Sequence, residues 1–206
     1  MQVKQFEIGM LMNNTYVVWC ERTRQGLVVD PVGAGPAVAR FIQDHDLKIG
    51  ILVYTHAHPD HVSGAAALRR ATGARVAAHP LARKIMRGPM ILICSGLGLI
   101  FRPVIPDQAL DHGQVLQIGN DSLTVLHTPG HTPDGICLAG PGLVFTGDTL
   151  INEAVGRTDL PGGSAQQLAR SIREILLPLG DATTVYPGHG PATTLGHERQ
   201  FNPFLH

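Results

Sequence analysis

Residues 55–61 read Thr55-His56-Ala57-His58-Pro59-Asp60-His61, directly after a buried apolar strand, Ile49 to Tyr54. A helix of small residues, roughly His61 to Ala71, is expected next. Four metal-capable side chains therefore occupy the loop between a strand end and a helix start. Alternate residues at a strand end point the same way, so His56 and His58 can share one ion. Asp60 and His61 turn to the other side as the helix begins, a spacing that suits two neighbouring ions better than one. A core histidine placed by chance would stand alone; these four do not.

Upstream, Val3 to Gly9, Thr15 to Cys20 and Gly26 to Asp30 read as short strands separated by Asn and Gly turns. Pro36 opens an amphipathic helix of about ten residues, with Ala37, Val38, Phe41 and Ile42 at helical spacing. Downstream comes a strand at Arg75 to His79, and the strand–helix alternation predicts an α/β sheet. The second half predicts an antiparallel meander from Val115 to Ile118, Ser122 to His127, Ile136 to Ala139 and Leu143 to Thr146. Ser164 caps a helix expected to run to Leu177, with Leu168, Ile172, Ile175 and Leu176 as its apolar stripe. A last strand spans Thr183 to Tyr186. There is no repeat and no long linker, so residues 1–206 are expected to form one domain of two packed halves.

The composition excludes several function classes. Sixteen basic residues balance sixteen acidic ones with no run of like charge, which argues against nucleic-acid binding. Three cysteines, Cys20, Cys94 and Cys137, have no paired spacing, so a reducing cytoplasm is expected and a disulfide scaffold is not. The N-terminus has no apolar signal region, and the run Met90 to Phe101 is too short to span a bilayer. The apolar stretch Ile85 to Pro106 reads as a lid over a pocket, a subunit contact in a homodimer, or a core helix.

Three more segments share the form of a strand end followed by a tight turn that carries a candidate ligand. They are His127-Thr-Pro-Gly-His131, Phe145-Thr-Gly-Asp148 and Tyr186-Pro-Gly-His189. Gly and Pro let the backbone bend sharply, bringing each side chain to the sheet edge. With the first loop they supply five His and two Asp, enough for two ions sharing a carboxylate. Nitrogen and oxygen donors without Cys suit zinc, with iron or manganese as alternatives.

His56-x-His58-x-Asp60-His61, then His131 after Thr-Pro-Gly, then Thr146-Gly-Asp148, then Pro187-Gly-His189, resembles the metallo-β-lactamase fold superfamily over nearly the whole chain. The resemblance implies an αβ/βα sandwich of two mixed sheets flanked by helices, with metals at one edge. It implies His56, His58 and His131 on one metal, Asp60, His61 and His189 on the second, and Asp148 bridging. Dizinc β-lactamases place a Cys where Asp148 stands, which argues against antibiotic hydrolysis, and the RNA-processing branch carries extra arms. Thr146-Gly-Asp-Thr-Leu150 followed by Gly156-Arg-Thr-Asp159 is similar to the glyoxalase II group, hydroxyacylglutathione hydrolases, without their C-terminal helical domain. Gly156-Arg-Thr-Asp159 also occurs in persulfide dioxygenases, which use one iron; that activity is the alternative.

The expected reaction is hydrolysis of a small-molecule thioester such as S-lactoylglutathione by a metal-bridging hydroxide, dependent on Asp60 and Asp148. A thiolate leaves without a strong protein acid, because thiols ionise at about pH 8.5. Arg157 either binds a substrate carboxylate or pairs with Asp159. His79 and His127 are read as structural, His127 supporting the turn that follows it.

Overall fold

In β2 (Asn13–Trp19) Tyr16 and Val18 alternate with Val17, and the two sets enter different cores. The same split recurs in β3 (Gln25–Val29), where Leu27 and Val29 face one way and Val28 the other. It recurs again in β10 (Leu143–Gly147) with Phe145 and Val144. A strand apolar on both faces must be covered on both. The result is four layers: helices, sheet, sheet, helices. The computed structural model describes residues 1–8, 11–33, 35–88 and 103–205.

The first sheet has the order β1-β2-β3-β4-β5-β6, with β1 at Gln2–Ile8, β4 at Lys48–Val53, β5 at Arg75–Ala78 and β6 at Gln108–Ala109. Its first three strands pair antiparallel and β3 to β6 run parallel. The second has the order β12-β11-β10-β9-β8-β7. Here β7 (Val115–Ile118), β8 (Asp121–His127), β9 (Ile136–Gly140) and β10 form the expected meander. β11 (Thr184–Pro187) joins parallel to β10, and β12 (Thr193–Thr194) closes the edge. Between the sheets lie Tyr16, Leu27, Val53, Leu123, Leu138 and Phe145. The fold is the mixed-sheet sandwich that the sequence implied.

The helix expected to open at Pro36 is α1 (Gly35–Asp44), and the other two expected helices depart from expectation. The helix expected over His61 to Ala71 is two, α2 (Pro59–Val62) and α3 (Ala65–Thr72). The break is at Gly64, whose amide donates to the Pro31 carbonyl at 2.7 Å and where a Cβ would collide with the Val32 backbone. The Ser164-capped helix α5 (Ala165–Ser171) widens into a π-turn over Ile172–Leu176 and ends as 3-10 at Leu177–Leu179. Leu168, Ile172 and Leu176 stay buried, while Ile175 is only half-buried. The sequence reading did not foresee α4 (Ala82–Ile85), β6, β12 or the C-terminal helix α6 (Leu195–Phe201). Cys20 and Cys137 are buried free thiols. Most of the apolar stretch 85–106, and Cys94, lie outside the described residues. Among the described residues no helix is long and apolar enough to cross a membrane.

Candidate metal centre

All four motif segments meet at one rim, at the C-terminal ends of β4, β8, β10 and β11. His56 and His58 follow β4, while Asp60 and His61 sit on α2. His131 hangs from the turn after β8, Asp148 follows β10 and His189 follows β11. The rings of His56, His58 and His131 converge through Nε2, Nδ1 and Nε2, with separations of 3.0, 3.0 and 3.3 Å. Three nitrogens about 2.0–2.1 Å from one tetrahedral ion lie about 3.3 Å apart, so this triangle has the spacing of three nitrogens on one ion. A second group joins Asp60, His61 and His189. Its His61 and His189 Nε2 atoms are 3.2 Å apart, and Asp60 Oδ2 is 3.5 Å from His189.

Asp148 stands between the two. Its Oδ1 faces His61 at 3.4 Å and His189 at 3.6 Å, while Oδ2 faces His131 at 3.5 Å. Oδ1 is buried and has no hydrogen-bond partner among the described residues. Close chain approach shapes the pocket: Gly188 lies against Asp148 and His61, where a Cβ would overlap Asp148 Oδ1.

The hydrogens on the rings are set by what lies behind them. The His131 Nδ1–H donates to the Arg157 carbonyl at 2.7 Å and the His189 Nδ1–H to the Leu11 carbonyl at 2.7 Å. The His61 Nδ1–H donates to Asp30 Oδ2 at 2.9 Å. The Thr55 hydroxyl donates to the same Oδ2 and accepts from His56 Nδ1–H at 3.1 Å. Carbonyls and carboxylates only accept, so in these four rings the Nε2 lone pair is turned to the cluster. Lone pairs this close repel one another unless a cation lies among them.

Charge balance points the same way. Burial, helped by the neighbouring rings, pushes His56 well below its usual pKa and His58 down to about 4. Burial also opposes charge on His61, but Asp148 and Asp30 outweigh it and push that ring well above its usual range. Burial raises the Asp148 carboxyl less than His61, His189 and His131 lower it, so it stays ionised. Burial is likewise outweighed at Asp60, by His189, His61 and Asn13. His56, His58, His61 and His131 are buried, while the Asp60 and His189 side is open to solvent.

Several contributors escaped the sequence reading. Asp30, buried at φ 47°, accepts from Thr55 N, the Thr55 hydroxyl and His61. The signal available for it was an acidic residue ending an apolar strand. Asn13 donates to Asp60 Oδ2, and Asn14 holds the Pro187 and Gly190 carbonyls; both lie in β2, outside the strand bounds expected from sequence. The Arg157 side chain is exposed and makes two bonds to Asp159, at 2.8 and 2.7 Å, while its carbonyl serves His131.

Comparison with known proteins agrees with this geometry. The chain is 31% identical to the Hydroxyacylglutathione hydrolase GloC of Haemophilus influenzae, over 100% of this chain and 98% of that one. Among solved structures it is similar to BLEG-1 B3 metallo-beta-lactamase, with TM-score 0.89, 33% identity and 99% of each chain covered. TTHA1623 in a di-iron-bound form gives TM-score 0.87 and 36% identity, covering 98% of this chain and 100% of that one. ETHE1 from Myxococcus xanthus gives 0.80 and 32%, covering 98% and 84%. The family model for the metallo-beta-lactamase superfamily matches residues 8–189, a span that includes all seven converging side chains, and the chain belongs to that superfamily.

Proposed function

We propose that this protein is a dinuclear metal-dependent hydrolase of a thioester, S-lactoylglutathione or a related acyl-thiol. The observation that carries the reading is Asp148, whose two oxygens face different groups of ligand atoms. His56, His58 and His131 would hold one ion, Asp60, His61 and His189 the second, with Asp148 shared. When bound, two divalent ions, zinc first and iron or manganese as alternatives, would supply the Lewis acidity that ionises water near neutral pH and polarises a carbonyl.

The chain's own residues do the rest. Asp30, Thr55 and the Arg157 and Leu11 carbonyls hold a hydrogen on the far nitrogen of each ring they touch, keeping Nε2 basic toward the site. Asp60 and Asp148 stay ionised and so favour cation over proton. No protein acid is needed for the leaving group, because a thiolate is stable near neutral pH. The open Asp60–His189 side admits a small substrate. In our reading the Arg157 guanidinium exchanges Asp159 for a substrate carboxylate; an unchanged KM in Arg157→Ala would remove that role.

The likeness to GloC supports the thioester, and the likeness to ETHE1 keeps iron persulfide oxygenation as the second reading. Elemental analysis of protein purified without added metal separates them. About two ions per chain with lactoylglutathione turnover supports the hydrolase, and Asp148→Asn should then abolish turnover. One iron, retained after His61→Ala and His189→Ala, with oxygen uptake on glutathione persulfide, would overturn it. A β-lactam belongs in the same assay, given the likeness to a B3 enzyme.

A further inference from the structure

Outside the metal-facing groups, two half-buried imidazoles meet across the sandwich. His79 follows β5 of the first sheet and His127 ends β8 of the second. Their rings stack with centroids 4.1 Å apart and planes 6° from parallel. The hydrogens are again fixed by their partners. His127 Nε2–H donates to the Pro133 carbonyl at 3.0 Å, and His79 Nδ1 accepts from the Leu81 amide at 3.3 Å. These partners place a hydrogen on His127 Nε2 and a lone pair on His79 Nδ1, and burial together with His127 pushes the His79 pKa down to about 4.

Pro133 lies two residues after His131, inside the turn closed by Thr128 N to the Gly135 carbonyl at 2.8 Å. On its helix side that turn is held by Ser164 N to the Gly130 carbonyl and by the Ser171 hydroxyl to the Pro129 carbonyl, both at 2.7 Å. On the strand side, His127 grips it through Pro133 and is itself backed by His79. His56 and His58 come from the first sheet and His131 from the second, so their 3.0–3.3 Å triangle depends on how the two rims are set against each other.

We propose that His127, braced by the stacked ring of His79, is a positioning residue for His131, fixing it in the triangle with His56 and His58. The proposal rests on the metal-centre reading above. Ordinary packing would ask only for a flat ring at 127; positioning asks for the Nε2–H donor to Pro133.

That difference supplies the test, a zinc competition titration that resolves two dissociation constants, with melting of the metal-free protein measured alongside. His127→Phe keeps a ring for the stack and loses the donor. It should weaken one of the two zinc sites about tenfold, the scale typical of a lost supporting contact, while leaving the other unchanged. His127→Gln, whose amide can donate to Pro133, should recover much of the affinity. His79→Phe should bind as the wild type does, and His79→Ala should resemble His127→Phe. Unchanged constants in His127→Phe would overturn the positioning role alone. Equal weakening of both sites with a lowered melting temperature of the metal-free variant would overturn it in favour of packing. Absence of zinc binding by the wild type would overturn the metal-centre reading and this proposal with it.

Discussion

Asp30 serves two of the site's rings at once, His61 directly and His56 through Thr55. Asp30→Ala would strand the Thr55 amide, the Thr55 hydroxyl and His61 Nδ1 in a buried place. Unmet buried donors cost about 1–3 kcal/mol each, so a clear loss of stability is expected in urea unfolding. Zinc affinity at the His61 group should fall about 10–100-fold. A second buried carboxylate behaves oppositely. Asp134 is 1% exposed, neither oxygen has a hydrogen-bond partner among the described residues, and burial pushes its pKa up to about 6. Because its folded pKa lies above the unfolded value, its stabilising contribution is full at low pH and is lost as pH rises through about 6. Asp134→Asn should therefore gain stability relative to the parent at pH 8, up to about 3 kcal/mol, with the difference shrinking toward pH 4. A stability difference independent of pH would sink that explanation.

At the scale of elements, the ligand-bearing loops depend on close backbone approach. Gly188, between β11 and His189, has room for no Cβ: it would overlap Asp148 Oδ1 and come within 2.6 Å of the His61 ring. If two ions bind as proposed, Gly188→Ala should displace Asp148 and reduce two ions per chain to one, with the far-ultraviolet circular dichroism preserved. Element boundaries also decided which residues reach the site. β2 begins at Asn13, two positions before the Thr15 expected from the apolar run, because Asn13 and Asn14 pair with β1 despite being polar. Their side chains then meet Asp60, His189 and the turn around Gly190. Periodicity reads apolar burial, and it is silent about polar residues that pair as strand. The same limit hid β6 and β12, two-residue strands too short to show an alternation.

Across the whole molecule, the first sheet and α2 carry His56, His58, Asp60 and His61, and the second sheet carries His131, Asp148 and His189. Ions there would tie the two halves together at one rim. A ligand that binds only the folded state stabilises it by about 2.7 kcal/mol at a hundredfold excess over Kd. Tm should accordingly rise with added zinc and fall in chelator; a Tm indifferent to both would count against metal binding. The apolar contact between the sheets, Tyr16, Leu27, Leu123 and Phe145 among others, is what sets the rims face to face.

From the sequence alone came the seven converging residues, the meander, the paired halves and the family resemblance, because metal-capable side chains after strand ends and alternating apolar runs are local patterns. What only the tertiary structure decided were the relations between segments far apart in the chain. Asp148 lies between two ligand groups, Asp30 stands behind His61 and Thr55, and the Arg157 carbonyl, rather than its side chain, holds His131. Ring tautomers and the stack of His79 on His127 belong to the same class. A hydrogen-bond partner dozens of residues away leaves no local trace, since backbone carbonyls are identical in every residue and their placement follows from packing of the sheets.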